Sequence, residues 1–277
     1  MVDFHMHTIY SDGTDDIDEL LEKVKDLEYF SITDHDTING VKKLRDKGLN
    51  MPNFINGIEL STTDLNTSVH ILFYNYDIDS PKLKEVLTKI DINRKERLNE
   101  RLKILKKDFK IKFKKEDVNY LLNLDNPTKP NIASLLVKYR YAKSIDEAIK
   151  VYLFHHLKTK KLSSEYVINE LKNEKGILVL AHPYGGIGEK RVELNVLNER
   201  INRFKKYGIK GLECCYSMYN DSEQKYLIEM ANMFNLIITG GSDYHGKNKK
   251  VEIATLSCDN NDNYQKINLV ENIRDSK

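Results

Sequence analysis

A chain of 277 residues with 40% apolar side chains can bury a full core, either as one large domain or as a domain carrying an insertion. Its formal charge of +2, the difference between 44 basic and 42 acidic residues, excludes a nucleic-acid or membrane binder working through a global field, so any anion specificity has to be local. Three cysteines, two of them adjacent as Cys214 and Cys215, exclude a disulfide framework, and no CxxC pair suggests a thiolate zinc knuckle. No run approaches membrane-spanning length and the N-terminus has no export signature, so the expectation is a soluble, cytoplasmic protein with no membrane contact and no obligate protein partner.

In chain order, short apolar runs at residues 2–6, 29–33, 54–58, 69–74, 176–181, 210–214 and 236–240 predict about seven strands. Amphipathic segments at 16–27, 194–207 and 222–234 alternate with several of them, the βα pattern of a parallel sheet or barrel. The alternation breaks at 77–161, where helical patterns dominate at 81–110, 115–124, 131–139 and 144–153. The expected architecture is therefore α/β, a distorted (β/α)7 barrel formed by 1–76 and 162–277, with 77–161 as a helical insertion. Residues 93–115 carry eleven Lys or Arg against three Asp or Glu, which reads as a solvated helix face and less readily as a path for a polyanion.

Polar residues collect where these strands end. His5 and His7 are two apart in a strand and face one side, with Phe4 and Met6 on the other. The second strand runs into Asp34-His35-Asp36 and the third is expected to end at Glu59, while His182 and Ser242-Asp243-Tyr244-His245 close two later ones. In α/β barrels the C-terminal strand ends form the active-site face. Six of the eight histidines, His5, His7, His35, His70, His182 and His245, lie on or at the end of a predicted strand, whereas His155 and His156 do not. Taken singly, each is more simply an ordinary core or surface residue. Six imidazoles with Glu59, Asp243 and Asp12 on one mouth would be intolerable as bare side chains, and divalent metal resolves that. Imidazole with carboxylate suits Zn²⁺, Mn²⁺ or Fe²⁺, and nine candidate ligands are too many for one ion.

The runs Asp3-Phe4-His5-Met6-His7-Thr8, Ser11-Asp12-Gly13-Thr14, Ile32-Thr33-Asp34-His35-Asp36-Thr37, Gly57-Ile58-Glu59-Leu60-Ser61, Val69-His70-Ile71-Leu72, Leu180-Ala181-His182-Pro183, Gly211-Leu212-Glu213 and Gly241-Ser242-Asp243-Tyr244-His245 resemble, in order, the polymerase and histidinol phosphatase (PHP) superfamily. Within it the chain looks most like the branch of nucleoside 3′,5′-bisphosphate phosphatases and 5′→3′ exoribonucleases, which shares the ITDHDT run and a helical insertion. The resemblance implies a trinuclear site: His5, His7, Glu59 and Asp243 on one ion, Glu59, His70 and His182 on a second, and Asp12, His35 and His245 on the third. It also implies a metal-dependent phosphoesterase acting on the 3′-phosphate of nucleoside bisphosphates or on short RNA 5′ ends. Attack by a metal-bridging hydroxide would use Glu59, His70, His182 and Asp243 as catalytic residues. No ligand position is vacant, which argues against a degenerate member, since fold alone would not imply activity.

One departure is Thr128-Lys129-Pro130-Asn131, where the branch carries an Arg-Pro-His-like run against phosphate; Lys129 keeps the charge but loses the bidentate fork. Lys129, Asn131, Tyr184 and Tyr244 are the expected substrate contacts, and Glu213 is a further candidate for the pocket lining. Asp34 and Asp36 either orient His35 or cap the following helix. Cys214 and Cys215 read as small buried residues, and Gly185-Gly186 as a tight turn. The competing functions are a phosphatase for another small metabolite such as histidinol phosphate, and a non-catalytic metal-containing interaction or proofreading module like those attached to bacterial replicative polymerases.

Overall fold

The N-terminal strands are shorter than their apolar runs. In the computed structural model, which describes residues 1–124, 126–155, 157–186, 191–256 and 263–275, β1 (Val2–Asp3) pairs in parallel with β2 (Tyr29–Phe30) and the ladder then stops. Beyond it the backbone finds partners one at a time: Ser31 N donates to Asp3 O at 3.0 Å and Thr33 N to Met6 O at 2.8 Å. Between the two strands lies α1 (Ile17–Val24), started by a capping box in which Asp16 Oδ1 accepts from Glu19 N and Glu19 Oε2 accepts from Asp16 N. After β2 comes α2 (Asn39–Asp46).

The next two strands depart from the alternation. β3 (Gly57–Asp64) and β4 (Thr67–Tyr74) form an antiparallel hairpin, because Leu65 and Asn66 take left-handed backbones, φ 45° and 66°, the geometry of a two-residue turn that matches strand twist. β4 is antiparallel to β5 (Ile177–Leu180), and only then do parallel pairs follow, with β6 (Gly211–Tyr216) and β7 (Ile237–Gly241). The ladders thus make a five-stranded sheet, β3-β4-β5-β6-β7, and a separate β1-β2 pair, a mixed α/β fold in which the ladders of the described residues do not close into the expected distorted (β/α)7 barrel. A hairpin cannot carry the crossover helix that each β/α unit needs. Isolated bridges lie between the two sheets, Met6 with Tyr244 on one side and His35 with Glu59 on the other. One consequence is that Glu59, expected at a strand end, lies three residues into β3.

The sequence divides into two compact units, Met1–Val86 with Ser163–Lys277, and Leu87–Leu162. In the first, Phe4, Leu72, Tyr74 and Val179 form a core with Leu269 of α10 (Leu269–Asp275), each 0% exposed and worth about 1.5–3 kcal/mol for a large apolar side chain. Tyr74 satisfies its buried hydroxyl on Phe4 O at 2.8 Å. α8 (Leu194–Tyr207) and α9 (Asp221–Met233) belong to the same unit, as does α7 (Ser164–Leu171). Gly208, at φ 119°, ends α8 in the left-handed conformation that a Cβ would resist.

The helix α3 (Pro81–Asp108) begins in the first unit, where Ser80 Oγ donates to Glu174 Oε2 at 2.6 Å, and continues into the second. There Leu98 and Leu105 meet Leu121 of α4 (Lys115–Asn123), Ile132 and Leu136 of α5 (Lys129–Lys138) and Ala148 of α6 (Ile145–Tyr152). Within the basic stretch, Arg101 is buried and donates to Leu153 O at 3.1 Å; burial and the charge of Arg97 pull its guanidinium down to about 10. Among the described residues no helix is long and apolar enough to cross a membrane.

Candidate metal centre

Period-two alternation places His5 and His7 together, and the backbone holds them there: Asp243 N donates to His5 O at 2.9 Å and His7 N to Tyr244 O at 2.8 Å. The approach is close enough that a Cβ on Gly241 would stand 2.3 Å from His5 Cβ. Asp3, wholly buried, accepts from His5 N, Ser242 N and Ala254 N, tying this strand to the loop after β7. Burial pushes its carboxyl up against those bonds.

The six predicted imidazoles come together. His7 stacks on His245 with ring centroids 3.9 Å apart and lies 4.6 Å from His35; His35 is 4.9 Å from His70, His70 5.2 Å from His182, and His182 5.9 Å from His5. Glu59 sits among them, 1% exposed. Its Oε1 is 2.9 Å from His70 Nδ1 and 3.0 Å from His182 Nε2, and its Oε2 is 3.1 Å from His5 Nε2, His7 Nε2 and His35 Nδ1. Asp243 Oδ1 faces His5, His7 and His245 at 3.7, 3.4 and 3.4 Å, and Asp12 Oδ1 is 3.2 Å from His245 Nε2. Three sets offer atoms within 4.8 Å of one another: His5, His7, Glu59 and Asp243; His7, Asp12, His35 and His245; and His35, Glu59 and His70. His7 and His35 are thus shared more widely than the family pattern divides them, and His182 reaches the centre through Glu59.

Electrostatics follow from this crowding. Burial raises Glu59, but His35, His5 and His70 outweigh it and hold the carboxyl well below its usual range; Asp243 is held down against burial by Lys249, His245, His7 and His5. Burial pulls His7 down, yet Asp243, Glu59 and Asp12 bring it to about 9, while burial and the neighbouring imidazoles His7 and His70 leave His35 well below an ordinary histidine.

The donor set fits divalent cations. His5 Nε2, His7 Nε2, His70 Nδ1, His245 Nε2, Asp12 Oδ1 and Glu59 Oε2 are buried without a hydrogen bond, an arrangement costing about 1–3 kcal/mol per group unless a cation takes the lone pairs. The opposite ring atoms are occupied: His5 Nδ1 lies 2.8 Å from Glu213 Oε1 and His245 Nδ1 2.8 Å from Asp243 O, which aims each Nε2 inward. Cys214 and Cys215 are buried in β6 and form no part of these sets. Two of the nine residues take left-handed backbones, His182 at φ 24° and Asp243 at φ 59°, strain of the kind that persists where function requires it.

The expected substrate contacts fare differently. Tyr244 is 5% exposed and its hydroxyl is used internally, donating to Asp15 Oδ2 at 2.7 Å and accepting from Lys23 Nζ at 2.6 Å. Tyr184 is buried against Tyr219, edge to face at 5.4 Å, beneath the Arg191 guanidinium. Lys129 and Asn131 belong to the Leu87–Leu162 unit, and the Asn131 side-chain carbonyl accepts from Thr128 N and Oγ1 in a capping box at the start of α5. His155 packs on Phe154 in that same unit, and His156 lies outside the described residues. Asp34 does not cap α2: it accepts from Thr8 N, Thr8 Oγ1 and Ser11 Oγ, all at 2.7 Å, and Ser11 Oγ in turn lies 3.4 Å from His7 Nδ1. Asp36 accepts from Ser61 N at 2.6 Å. Gly185 N donates to His182 O at 2.7 Å, closing the expected turn.

A PHP domain model matches residues 3–268. The chain belongs to the PHP family. Over 256 residues this PHP chain is 27% identical to the 5′-3′ exoribonuclease Rnm of Escherichia coli, with 88% of the chain and 84% of the relative covered. It is 24% identical over 260 residues to the phosphoribosyl 1,2-cyclic phosphate 1,2-diphosphodiesterase of Eggerthella lenta, covering 88% and 94%. Its fold is similar to that of a Bifidobacterium adolescentis protein described as a metal-dependent phosphoesterase, with a TM-score of 0.76, 25% identity, and 96% and 95% of the two chains covered. The PHP chain is a metal-dependent phosphoesterase.

Proposed function

We propose that this phosphoesterase acts on phosphate esters of nucleotides, either the 3′-phosphate of a nucleoside 3′,5′-bisphosphate or the 5′ ends of short RNA. The observation that carries the hydrolytic reading is Glu59: a buried carboxylate with both oxygens turned to five imidazoles is an arrangement built to be shared between cations. The nucleotide reading is supported by the exoribonuclease relative. His5, His7, Asp12, His35, Glu59, His70, His182, Asp243 and His245 would hold divalent ions, three by count of the donor sets, with Mn²⁺, Zn²⁺ or Fe²⁺ matching the nitrogen and oxygen donors. When bound, such ions lower the pKa of water and neutralise phosphate oxygens.

The chain's own residues prepare that chemistry. Glu213 holds the proton on His5 Nδ1, so that Nε2 keeps its lone pair for the site, and the same carboxylate accepts from His182 N at 2.7 Å, fixing the strained turn that presents the His182 ring. Ser11, anchored by Asp34, lies beside His7 in the same way. We read the single bridges and hydrogen bonds at both ends of the β1-β2 pair as the distorted closure of a barrel around this cluster.

A second reading has one observation in its favour: the Eggerthella relative acts on a cyclic phosphate diester, and a substrate of that class would use the same donors. Hydrolysis with Mn²⁺ of adenosine 3′,5′-bisphosphate, 5′-phosphorylated RNA, phosphoribosyl 1,2-cyclic phosphate and histidinol phosphate, followed by chromatography of the products so that released phosphate, released nucleotide and opened diester are each counted, separates the readings. Preferential turnover of the bisphosphate or the RNA supports the nucleotide assignment. Preference for the cyclic diester moves the assignment to that class, and preference for histidinol phosphate overturns both.

A further inference from the structure

Asp243 has two oxygens in different surroundings. Oδ1 faces His5, His7 and His245, whereas Oδ2 accepts from the Tyr216 hydroxyl at 2.6 Å and from Lys249 Nζ at 2.8 Å. We propose that Tyr216 and Lys249 are positioning residues that occupy Oδ2, so that Asp243 offers the metal centre a single oxygen. This rests on reading the nine-residue cluster as a metal centre.

Three features make the clamp a built one. Tyr216 is fully buried between the His182 ring, at 5.5 Å, and the Tyr219 ring, at 4.9 Å, so its hydroxyl has little freedom to turn elsewhere. Glu213 and Tyr216 are three apart in β6, which in a regular strand would put them on opposite faces. The register against β7 shifts between Glu213 and Cys215, and this bulge returns Tyr216 to the face that Glu213 serves. Asp243 itself is held by its left-handed backbone and by the bond from its N–H to His5 O. A carboxylate fixed at the backbone and at one oxygen can pivot very little. Using Oδ2 as a second ligand atom would forfeit two hydrogen bonds, one from a cation, and hydrogen bonds involving charged partners are roughly twice as strong as neutral ones. Lys249 also withdraws charge from Asp243, making it a weaker donor than a free carboxylate.

Co²⁺ loaded into the metal-stripped full chain is the probe, because its visible absorption reports coordination number independently of turnover. Tyr216→Phe and Lys249→Met each remove one anchor, and Lys249→Arg keeps the cation. Tyr216→Phe is expected to weaken Co²⁺ binding about tenfold in chelator competition, the lower end of the usual effect of residues that orient ligands. The Co²⁺ band is expected to change in both anchor-deleting variants and to stay as wild type in Lys249→Arg, with metal-free melting temperatures close to wild type. If Tyr216→Phe does not fold, Lys249→Met decides alone, since Lys249 reaches the site from its edge with 19% of its side chain exposed. Wild-type spectra and affinity in the folded anchor-deleting variants overturn this proposal alone. A wild-type chain that takes up no Co²⁺ overturns the metal-centre reading and this one with it.

Discussion

Glu213 offers the sharpest test of how the cluster is held. It is wholly buried and accepts two hydrogen bonds, from His5 Nδ1 at 2.8 Å and from His182 N at 2.7 Å. Glutamine has the same shape but only one acceptor. If its oxygen faces His182 N, its NH₂ faces His5 Nδ1, and the imidazole escapes the clash by moving its proton to Nε2, the atom turned toward Glu59. Glu213→Gln is therefore expected to fold and to lose about 10- to 100-fold in metal affinity. That corresponds to about 1.4–2.8 kcal/mol at the usual free energy per decade. Glu213→Ala is a different perturbation: it leaves both buried donors unsatisfied at ~1–3 kcal/mol each, roughly 2–6 kcal/mol before any cavity term, a large part of the ~5–15 kcal/mol that stabilises a typical domain. The assay is chelator competition for Mn²⁺ or Zn²⁺, beside thermal unfolding of the metal-stripped chain. A Glu213→Gln variant that binds metal as tightly as wild type would refute the tautomer argument, whatever its stability.

Three further outcomes follow from the same geometry. Stripping metal with a chelator should lower the melting temperature by roughly 5–10 °C, since a ligand at a hundredfold excess over its Kd stabilises by about 2.7 kcal/mol; calorimetry with and without added Mn²⁺ measures it, and no shift would argue against a resident ion. Gly241→Ala drives a methyl into His5 Cβ and backbone N, at 2.3 and 2.5 Å, and should destabilise by about 3 kcal/mol or more in denaturant titration, because backbone rather than a flexible side chain must move. Tyr244→Phe removes a hydroxyl already committed to Lys23 and Asp15, which remain 2.5 Å apart, so it should cost about 1 kcal/mol of stability and leave KM unchanged; a large rise in KM would restore Tyr244 as a substrate contact.

The substrate side of the site was the least legible in the sequence. Tyr244 and Asn131 stand out in the sequence as polar groups beside motif residues; in the structure the Tyr244 hydroxyl belongs to a buried network and the Asn131 oxygen to a helix cap. Adjacency in sequence does not tell whether a polar atom is free. Tyr216 and Lys249 carry no visible signal in the sequence, for the complementary reason. Tyr216 falls on the wrong face by strict alternation until the bulge at Cys214 is known, and Lys249 reads as one of many surface lysines. Asp3 and Glu213 carried a fainter signal, a carboxylate inside an apolar strand, which is costly without partners and therefore points to backbone or imidazole donors nearby.

The chemistry of the cluster is readable from residue order alone: which residue types gather where strands finish, that they are imidazole and carboxylate rather than thiolate, and that they outnumber what one ion could use. Those are local properties, set by strand periodicity and by the cost of burying unpaired polar groups. Tertiary structure alone decided the β3-β4 hairpin in place of a crossover, the sharing of His7 and His35 among donor sets, and which oxygen of Asp243 faces the centre. Each depends on a backbone departure from regularity, the left-handed Leu65 and Asn66, the strained His182 and Asp243, and the shifted register of β6, and such departures are stabilised by contacts between residues far apart in the chain.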